Sequence, residues 1–273
     1  MTKILTVENE SYDLDFVPEE IYVLSVTENG NDGDVAYLDV FLNKEEGINY
    51  VNDNFVDAEV IENDEIWSID GVEVDVRMSA DGTLWLYHEN TLESHTDGEG
   101  CIFEKTDLEL EKLRYKSLHR EKLARLDEIW PLLDTGHHII LDLKHWNACT
   151  EGYVDMALFQ QALYTIPSQY RAQLILDSSN PNWLAQISQD FKVVYATVSF
   201  EEGLQRLEKV PALAGLMLRS KDITAAQITY LKSLNKESYL FEMRSSKKQR
   251  AALQKQPSAI LADDPRGALV IRD

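Results

Sequence analysis

Residues 71–100 read GVEVDVRMSADGTLWLYHENTLESHTDGEG, and how this stretch folds decides the rest of the chain. It opens on an alternating run, Val72-Glu73-Val74-Asp75-Val76. In a strand, Glu73 and Asp75 then share one face and the three valines share the other. Asp81-Gly82 is a tight-turn pair. A second apolar run follows, Thr83 to Tyr87, and ends on His88 and Glu89. Such a hairpin gathers two carboxylates and an imidazole into one compact set. Oxygen ligands suit hard cations, and imidazole suits proton transfer near neutral pH. On periodicity alone, a half-buried strand with its acids in water explains Val72–Val76 equally well.

Outward from this stretch, the composition is that of a folded protein with a sizeable core. The chain has 273 residues, 44% of them hydrophobic, which suits one large domain. The net charge is −22 and unevenly spread. From Met1 to Asp75 there are 21 acidic residues and only Lys3 and Lys44 against them, while the remainder is close to neutral. That field repels nucleic acid and anionic membrane surfaces. No stretch is long and apolar enough to span a bilayer, so stable membrane insertion is not expected. The first residues, MTKILTVENESYDLDF, lack the apolar centre of a signal peptide, which predicts a cytoplasmic protein. Cys101 and Cys149 form neither a C-x-x-C pair nor a zinc spacing and are read as idle thiols.

The periodicity predicts an α/β protein with an extra β-rich segment at its start. Ile21–Val26 and Val35–Leu42 flank Asn29-Gly30, a hairpin signal. This acidic segment, residues 1–45, reads either as an appended hairpin or as a first strand followed by an insertion, with residues 46–273 as the main domain. From His137 onward, strands are expected at Ile139–Leu143, Ala172–Leu176, Lys192–Thr197, Ala214–Leu218, Ser238–Phe241 and Ala259–Leu261. Helices are expected between them at Met156–Tyr164, Asn182–Gln189, Glu201–Glu208, Thr224–Leu234 and Lys247–Gln254. Alternation at this spacing means a parallel sheet. With the Val72 strand and one earlier strand the total is about eight, which closes a (β/α)8 TIM barrel. The return run Thr83–Tyr87 lies outside that count.

The opening stretch resembles the glycerophosphodiester phosphodiesterase family. The family pattern is Glu-x-Asp-Val, a turn at Asp-Gly, then His-Asp-x-x-Leu and a Thr-x-Gly tail. The chain matches it at Glu73, Asp75, Val76, Asp81, Gly82, His88, Leu92, Thr96, Gly98 and Gly100. It departs at Glu89, where the family has Asp, and at Ser94, where the family usually has Arg. Leu141-Asp142-Leu143-Lys144 sits where the family has Glu-x-Lys, with the acid one methylene shorter here. The resemblance covers Val72 to Lys144 well and the later strands loosely.

This resemblance implies a metal-dependent phosphodiester hydrolase that releases glycerol 3-phosphate and an alcohol from a small lipid-derived phosphodiester. It implies that Glu73, Asp75 and Asp142 hold Ca2+ or Mg2+, that Lys144 neutralises phosphate charge, and that His88 transfers a proton. Barrel sites lie at the C-terminal ends of the strands. Arg219 and Arg244, at two such ends, are candidate phosphate contacts, and Trp146 is a candidate pocket wall. Each of these three also reads plainly as a loop charge or a rim side chain.

One departure bears on the reaction itself. The family begins with His-Arg-Gly at the end of its first strand, and that imidazole works with the one at the His88 position. Here no histidine precedes His88. Val51-Asn52-Asp53-Asn54 and Ser25-Val26-Thr27-Glu28 are the candidates for the vacant position, and neither offers an imidazole. The expected activity is therefore weak or atypical. The alternatives are a degenerate barrel that binds without cleaving and a related reaction that forms a cyclic phosphate.

Overall fold

The structure, a computed structural model, describes residues 3–7, 22–27, 35–41, 71–117, 120–134 and 136–262. In chain order the strands are β1 (Lys3–Val7), β2 (Tyr22–Thr27), β3 (Val35–Phe41), β4 (Gly71–Met78), β5 (Leu84–Leu86), β6 (His138–Leu143), β7 (Trp146–Asn147), β8 (Gly152–Tyr153), β9 (Leu174–Ser178), β10 (Lys192–Ala196), β11 (Gly215–Arg219), β12 (Glu237–Met243) and β13 (Ala259–Ala262). The helices are α1 (Asp107–Leu110), α2 (Trp130–Asp134), α3 (Met156–Tyr164), α4 (Pro181–Ile187), α5 (Phe200–Lys209), α6 (Ala225–Ser233) and α7 (Ser246–Gln254). No described helix is long and apolar enough to cross a membrane.

Eight parallel strands close on themselves in the order β1, β4, β6, β9, β10, β11, β12, β13, with β1 bonded to both β4 and β13. This is the expected TIM-barrel architecture. β5 pairs antiparallel with the end of β4 and stays outside the barrel count, as the turn at Asp81-Gly82 implied. The N-terminal hairpin also forms, β2 against β3, and among the described residues it pairs with no other strand. Its place in the order differs from a hairpin set ahead of the barrel. β1 precedes it and lies in the barrel sheet, with Val7 in register with Glu73. The first barrel strand therefore comes from the stretch read as an N-terminal extension, and the hairpin follows it in the chain. The Ser25–Glu28 candidate for the missing imidazole is thereby removed, since Ser25 pairs with Leu38 of the hairpin and not with a barrel strand. The Val51–Asn54 candidate lies outside the described residues.

Alternation along each strand splits the apolar residues into two layers. Val72, Val74, Val76, Ile139, Leu141, Leu143, Leu174 and Leu176 face outward and pack under the helices. Ile140, Ile175, Val194, Met217, Tyr239, Ala259 and Leu261 fill the barrel interior. Each fully buried aliphatic side chain contributes about 1.5–3 kcal/mol. A one-residue slip of β4 would put Glu73, Asp75 and Arg77 beneath the helices instead of the valines, so its register is fixed. The crossover helices start where the loops supply acceptors. Asp155, Asn180, Ser199, Thr224 and Ser245 cap α3 to α7 in turn, each accepting from a backbone N–H of the first turn.

The two cysteines are not idle thiols. Cys101 and Cys149 form a disulfide, joining the loop after β5 to the loop between β7 and β8. Both loops lie at the C-terminal mouth of the barrel. A separation of 48 residues shows no local spacing motif, which is why the pairing could not be read from the sequence. By loop-closure entropy a crosslink of this span is worth about 4 kcal/mol.

Candidate metal centre and active site

Parallel pairing sets Asp75 beside Asp142, and Asp142 beside Asp177. Three carboxylates from β4, β6 and β9 thus stand in one lateral row, directly above the Ile140–Ile175 layer of the lumen. Glu73 lies two residues below Asp75 on the same strand face. The acids do not face water: Glu73 and Asp75 are each only 6% exposed. Glu73, Asp75 and Asp142 each offer an oxygen, and these oxygens lie within 4.8 Å of one another. A cluster of this geometry and chemistry can hold a divalent cation.

Lys144 supplies the positive charge bonded to the cluster. Its Nζ lies 2.8 Å from Asp75 Oδ1 and 2.6 Å from Asp142 Oδ2. Burial alone would lower the lysine's pKa, but Asp142 and Asp75 outweigh it and hold the ammonium above its ordinary range. Burial raises the Glu73 carboxyl well above the usual value, and the charges of Asp75 and Asp142 add to the effect. Burial likewise raises Asp142, with Lys144 acting against it. Acids that repel one another at a largely buried site, with a single bonded ammonium, form a site where added positive charge is favoured.

His88 stands at the mouth, half exposed. Its Nδ1 is 2.9 Å from Glu89 Oε1, so Nε2 is the nitrogen left for another partner. The same Glu89 oxygen is 3.4 Å from His95 Nε2. The His88 hydrogen bond is the main reason that the Glu89 carboxyl lies below its ordinary value. The extra methylene of Glu89 thus leaves its carboxylate within reach of both imidazoles. His145 points out of the lumen, as strand alternation predicts: it bonds Ser178 Oγ at 3.2 Å and stacks on Tyr153.

The other expected contacts sit less centrally. Trp146 begins β7 at the mouth and is 43% exposed, with its ring edge-on to Tyr153. Arg219 ends β11 on the lumenal side, but its Nε is 2.6 Å from Asp222 Oδ2 and is held there rather than by the acid cluster. Arg244 is exposed on the loop after β12.

Two residues were given no role by the sequence reading. Arg77 shares the face of Glu73 and Asp75 and is 3% exposed. It donates to His88 O at 2.8 Å, Asn90 Oδ1 at 3.1 Å and Trp146 O at 3.3 Å, and so pins the His88 loop and the start of β7 to the barrel rim. Asp177 is the second. The period-2 signal that picked out Glu73 and Asp75 also marks both: Arg77 continues it in β4, and Asp177 follows Ile175 on one face of β9.

The sequence pattern of the glycerophosphoryl diester phosphodiesterase family matches residues 68–209. No curated protein matches the chain. Among solved structures, the fold is similar to a phosphodiesterase of Oleispira antarctica in complex with the product sn-glycerol-3-phosphate, at 21% identity and TM-score 0.63, over 74% of this chain and 84% of that one. It is also similar to the glycerophosphodiester phosphodiesterase of Thermotoga maritima, at 20% identity and TM-score 0.57, over 75% and 85%. A third similar structure, the glycerophosphodiester phosphodiesterase of Agrobacterium tumefaciens, has 18% identity and TM-score 0.59, over 74% and 87%. At these identities the structures speak for the fold, and the matched pattern, which spans more than half of the sequence and includes the acid cluster, speaks for descent. The chain is a divergent member of the glycerophosphoryl diester phosphodiesterase family.

Proposed function

We propose that the protein cleaves a small phosphodiester of the glycerophosphodiester type at the C-terminal mouth of its barrel. The observation that carries this reading is the set of three carboxylates with oxygens within 4.8 Å of one another, two of them, Asp75 and Asp142, bonded to Lys144. Glu73, Asp75 and Asp142 would hold Ca2+ or Mg2+, which supplies polarisation of the phosphoryl oxygens and activation of the attacking hydroxyl or water. Lys144 offers its charge to the phosphate, and Nε2 of His88 moves the proton. Trp146 walls the substrate on one side. Arg219 and Arg244 meet its charged oxygens, Arg219 on leaving Asp222.

A second reading, a barrel that binds such a diester without turning it over, draws on one observation. The first barrel strand ends at Val7 and carries no histidine, and none precedes His88. The disulfide weighs against the cytoplasmic placement expected from the sequence, because disulfides persist in oxidising compartments. The reading is tested by melting wild-type protein and Glu73→Ala with and without Ca2+ or Mg2+. A cation held by the native state raises the wild-type melting temperature, by about 2.7 kcal/mol of stability at a hundredfold excess over Kd. Metal-independent melting of both proteins would rule out a site at Glu73.

A further inference from the structure

We propose that Arg77 is the positioning residue of the proton-transfer step: its buried guanidinium sets where His88 stands at the mouth, without touching substrate itself. The proposal rests on the reading of His88 as the proton-transfer group and adds the residue that places it.

Arg77 follows Glu73 and Asp75 on one face of β4, one step nearer the mouth. Just below it, the main-chain bonds that flank β4 come to an end. Tyr87 N–H donates to Asp75 O at 2.9 Å, and Lys144 N–H donates to Val76 O at 3.0 Å. The guanidinium takes over from there. Nη2 donates to His88 O and to Asn90 Oδ1, and Nη1 donates to Trp146 O. His88 directly follows Tyr87 in the chain. One strand thus sets Glu73 and Asp75 and, through Arg77, the main chain that carries the imidazole.

The three acceptors are neutral, two carbonyls and an amide oxygen. Arg77 is only 3% exposed, and its Nε is buried with no partner among the described residues. A guanidinium buried on such terms is costly, and the face of the Phe103 ring at 5.8 Å offsets only part of that cost. Holding the two mouth loops together does not explain it, because the Cys101–Cys149 disulfide already joins them. What the disulfide does not fix is the peptide of His88, at the other end of its loop from Cys101. Proton transfer needs that placement, since a displacement of about 1 Å costs about 10²-fold. It also needs the fork of arginine. A lysine here would keep the charge, but one Nζ cannot stand at both Nη positions.

Arg77→Lys, and Asn90→Ala at an exposed acceptor of the same guanidinium, test the proposal in two ways. Histidine 15N spectra read the imidazole whether or not the protein turns over substrate. In neutral His88 of the wild type the proton is expected on Nδ1, the nitrogen that faces Glu89. In Arg77→Lys the two tautomers should mix, while His145, held by Leu143 O and Ser178 Oγ, keeps its signals. On a nitrophenyl phosphodiester, Arg77→Lys should lower kcat by about tenfold or more, with KM and with Ca2+ affinity by calorimetry unchanged. In a His88→Ala background it should lower the residual rate no further. Asn90→Ala should act in the same direction and to a lesser extent. Wild-type tautomer and kcat in Arg77→Lys would overturn the proposal, because charge alone would then suffice. An equal loss in both backgrounds would also overturn it, since that marks a merely structural role. If the wild type cleaves no phosphodiester, the reading of His88 as a proton-transfer group fails on its own, and the spectra still decide whether Arg77 places it.

Discussion

Asp107, outside the site, ties the β4–β5 turn to the first residues of α1. Its carboxylate accepts from Ser79 Oγ at 2.6 Å, from Thr83 Oγ1, and from Trp85 Nε1 at 3.0 Å, while its backbone N–H donates to Asp81 Oδ2 at 2.7 Å. Burial pushes the Asp107 carboxyl up, and the donors from Ser79, Thr83 and Trp85 outweigh that and hold it below its ordinary value. A depressed pKa in the folded state adds stability above the ordinary value of 3.8, and that stability is lost as pH falls through the lowered folded value. Asp107→Asn should cost about 1–3 kcal/mol at neutral pH. The difference from wild type should shrink in acid, which denaturant titrations at a series of pH values would show. A difference that stays constant down to about pH 2 would mean that the charge of Asp107 contributes nothing. Residue for residue, Glu73, Asp75, Asp142, Lys144 and His88 were legible because a long motif fixed their register. Asp177 and Arg77 obey the same alternation, but a buried charge looks like a solvent-facing one until the neighbouring strands are in place.

At the scale of elements, local chemistry was enough for most of the barrel. Met156–Tyr164 was placed to the residue, because Asp155 caps it and its apolar residues recur at helical spacing. The expected strand at Ala172 begins two residues later, since Arg171–Gln173 make a 3-10 turn that periodicity cannot distinguish from a strand start. β1 was the harder case. It is five residues long, and its partners, Gly71–Glu73 on one side and Ala259–Ala262 on the other, lie far along the chain. Nothing local says that it belongs to the barrel. Close strand packing also leaves a testable mark at Gly215, the first residue of β11. A Cβ there would meet the backbone oxygen of Glu237 in β12 at 2.2 Å and its carbonyl carbon at 2.7 Å. Backbone cannot swing aside as a side-chain tip can, so Gly215→Ala should destabilise by about 1–3 kcal/mol. Gly152→Ala is the control: its Cβ would find nothing nearer than 3.8 Å, and its effect should stay within about 0.5 kcal/mol. Equal melting temperatures for the two variants would show that β11 and β12 are looser than described.

At the scale of the molecule, the barrel brings an acid cluster that can hold a cation, a lysine and one imidazole to its mouth, and the disulfide holds together two of the loops there. What β1 does not bring is a second imidazole. Its last residue, Val7, is in register with Glu73, so the strand ends level with the cluster, where a proton-transfer group would stand. Cleaving a phosphodiester requires one group to take the proton of the nucleophile and another to give a proton to the leaving oxygen. A positioned acid or base contributes about 10²–10⁴-fold, whereas in the proposed reading the cluster and Lys144 would still stabilise charge on the transferring phosphoryl group without it. A nitrophenyl phosphodiester releases an oxygen that needs no proton. It should therefore be cleaved with a kcat/KM at least about a hundredfold above that for glycerophosphocholine. His88→Ala should remove the rate that remains on the nitrophenyl substrate, by about 10²-fold or more, while leaving cation binding by calorimetry intact. Comparable kcat/KM values for both substrates would show that an acid from elsewhere in the chain reaches the leaving oxygen. Cation binding with turnover of neither substrate would instead establish the binding-only reading, because the loss of one proton-transfer group slows a good leaving group far less than a poor one.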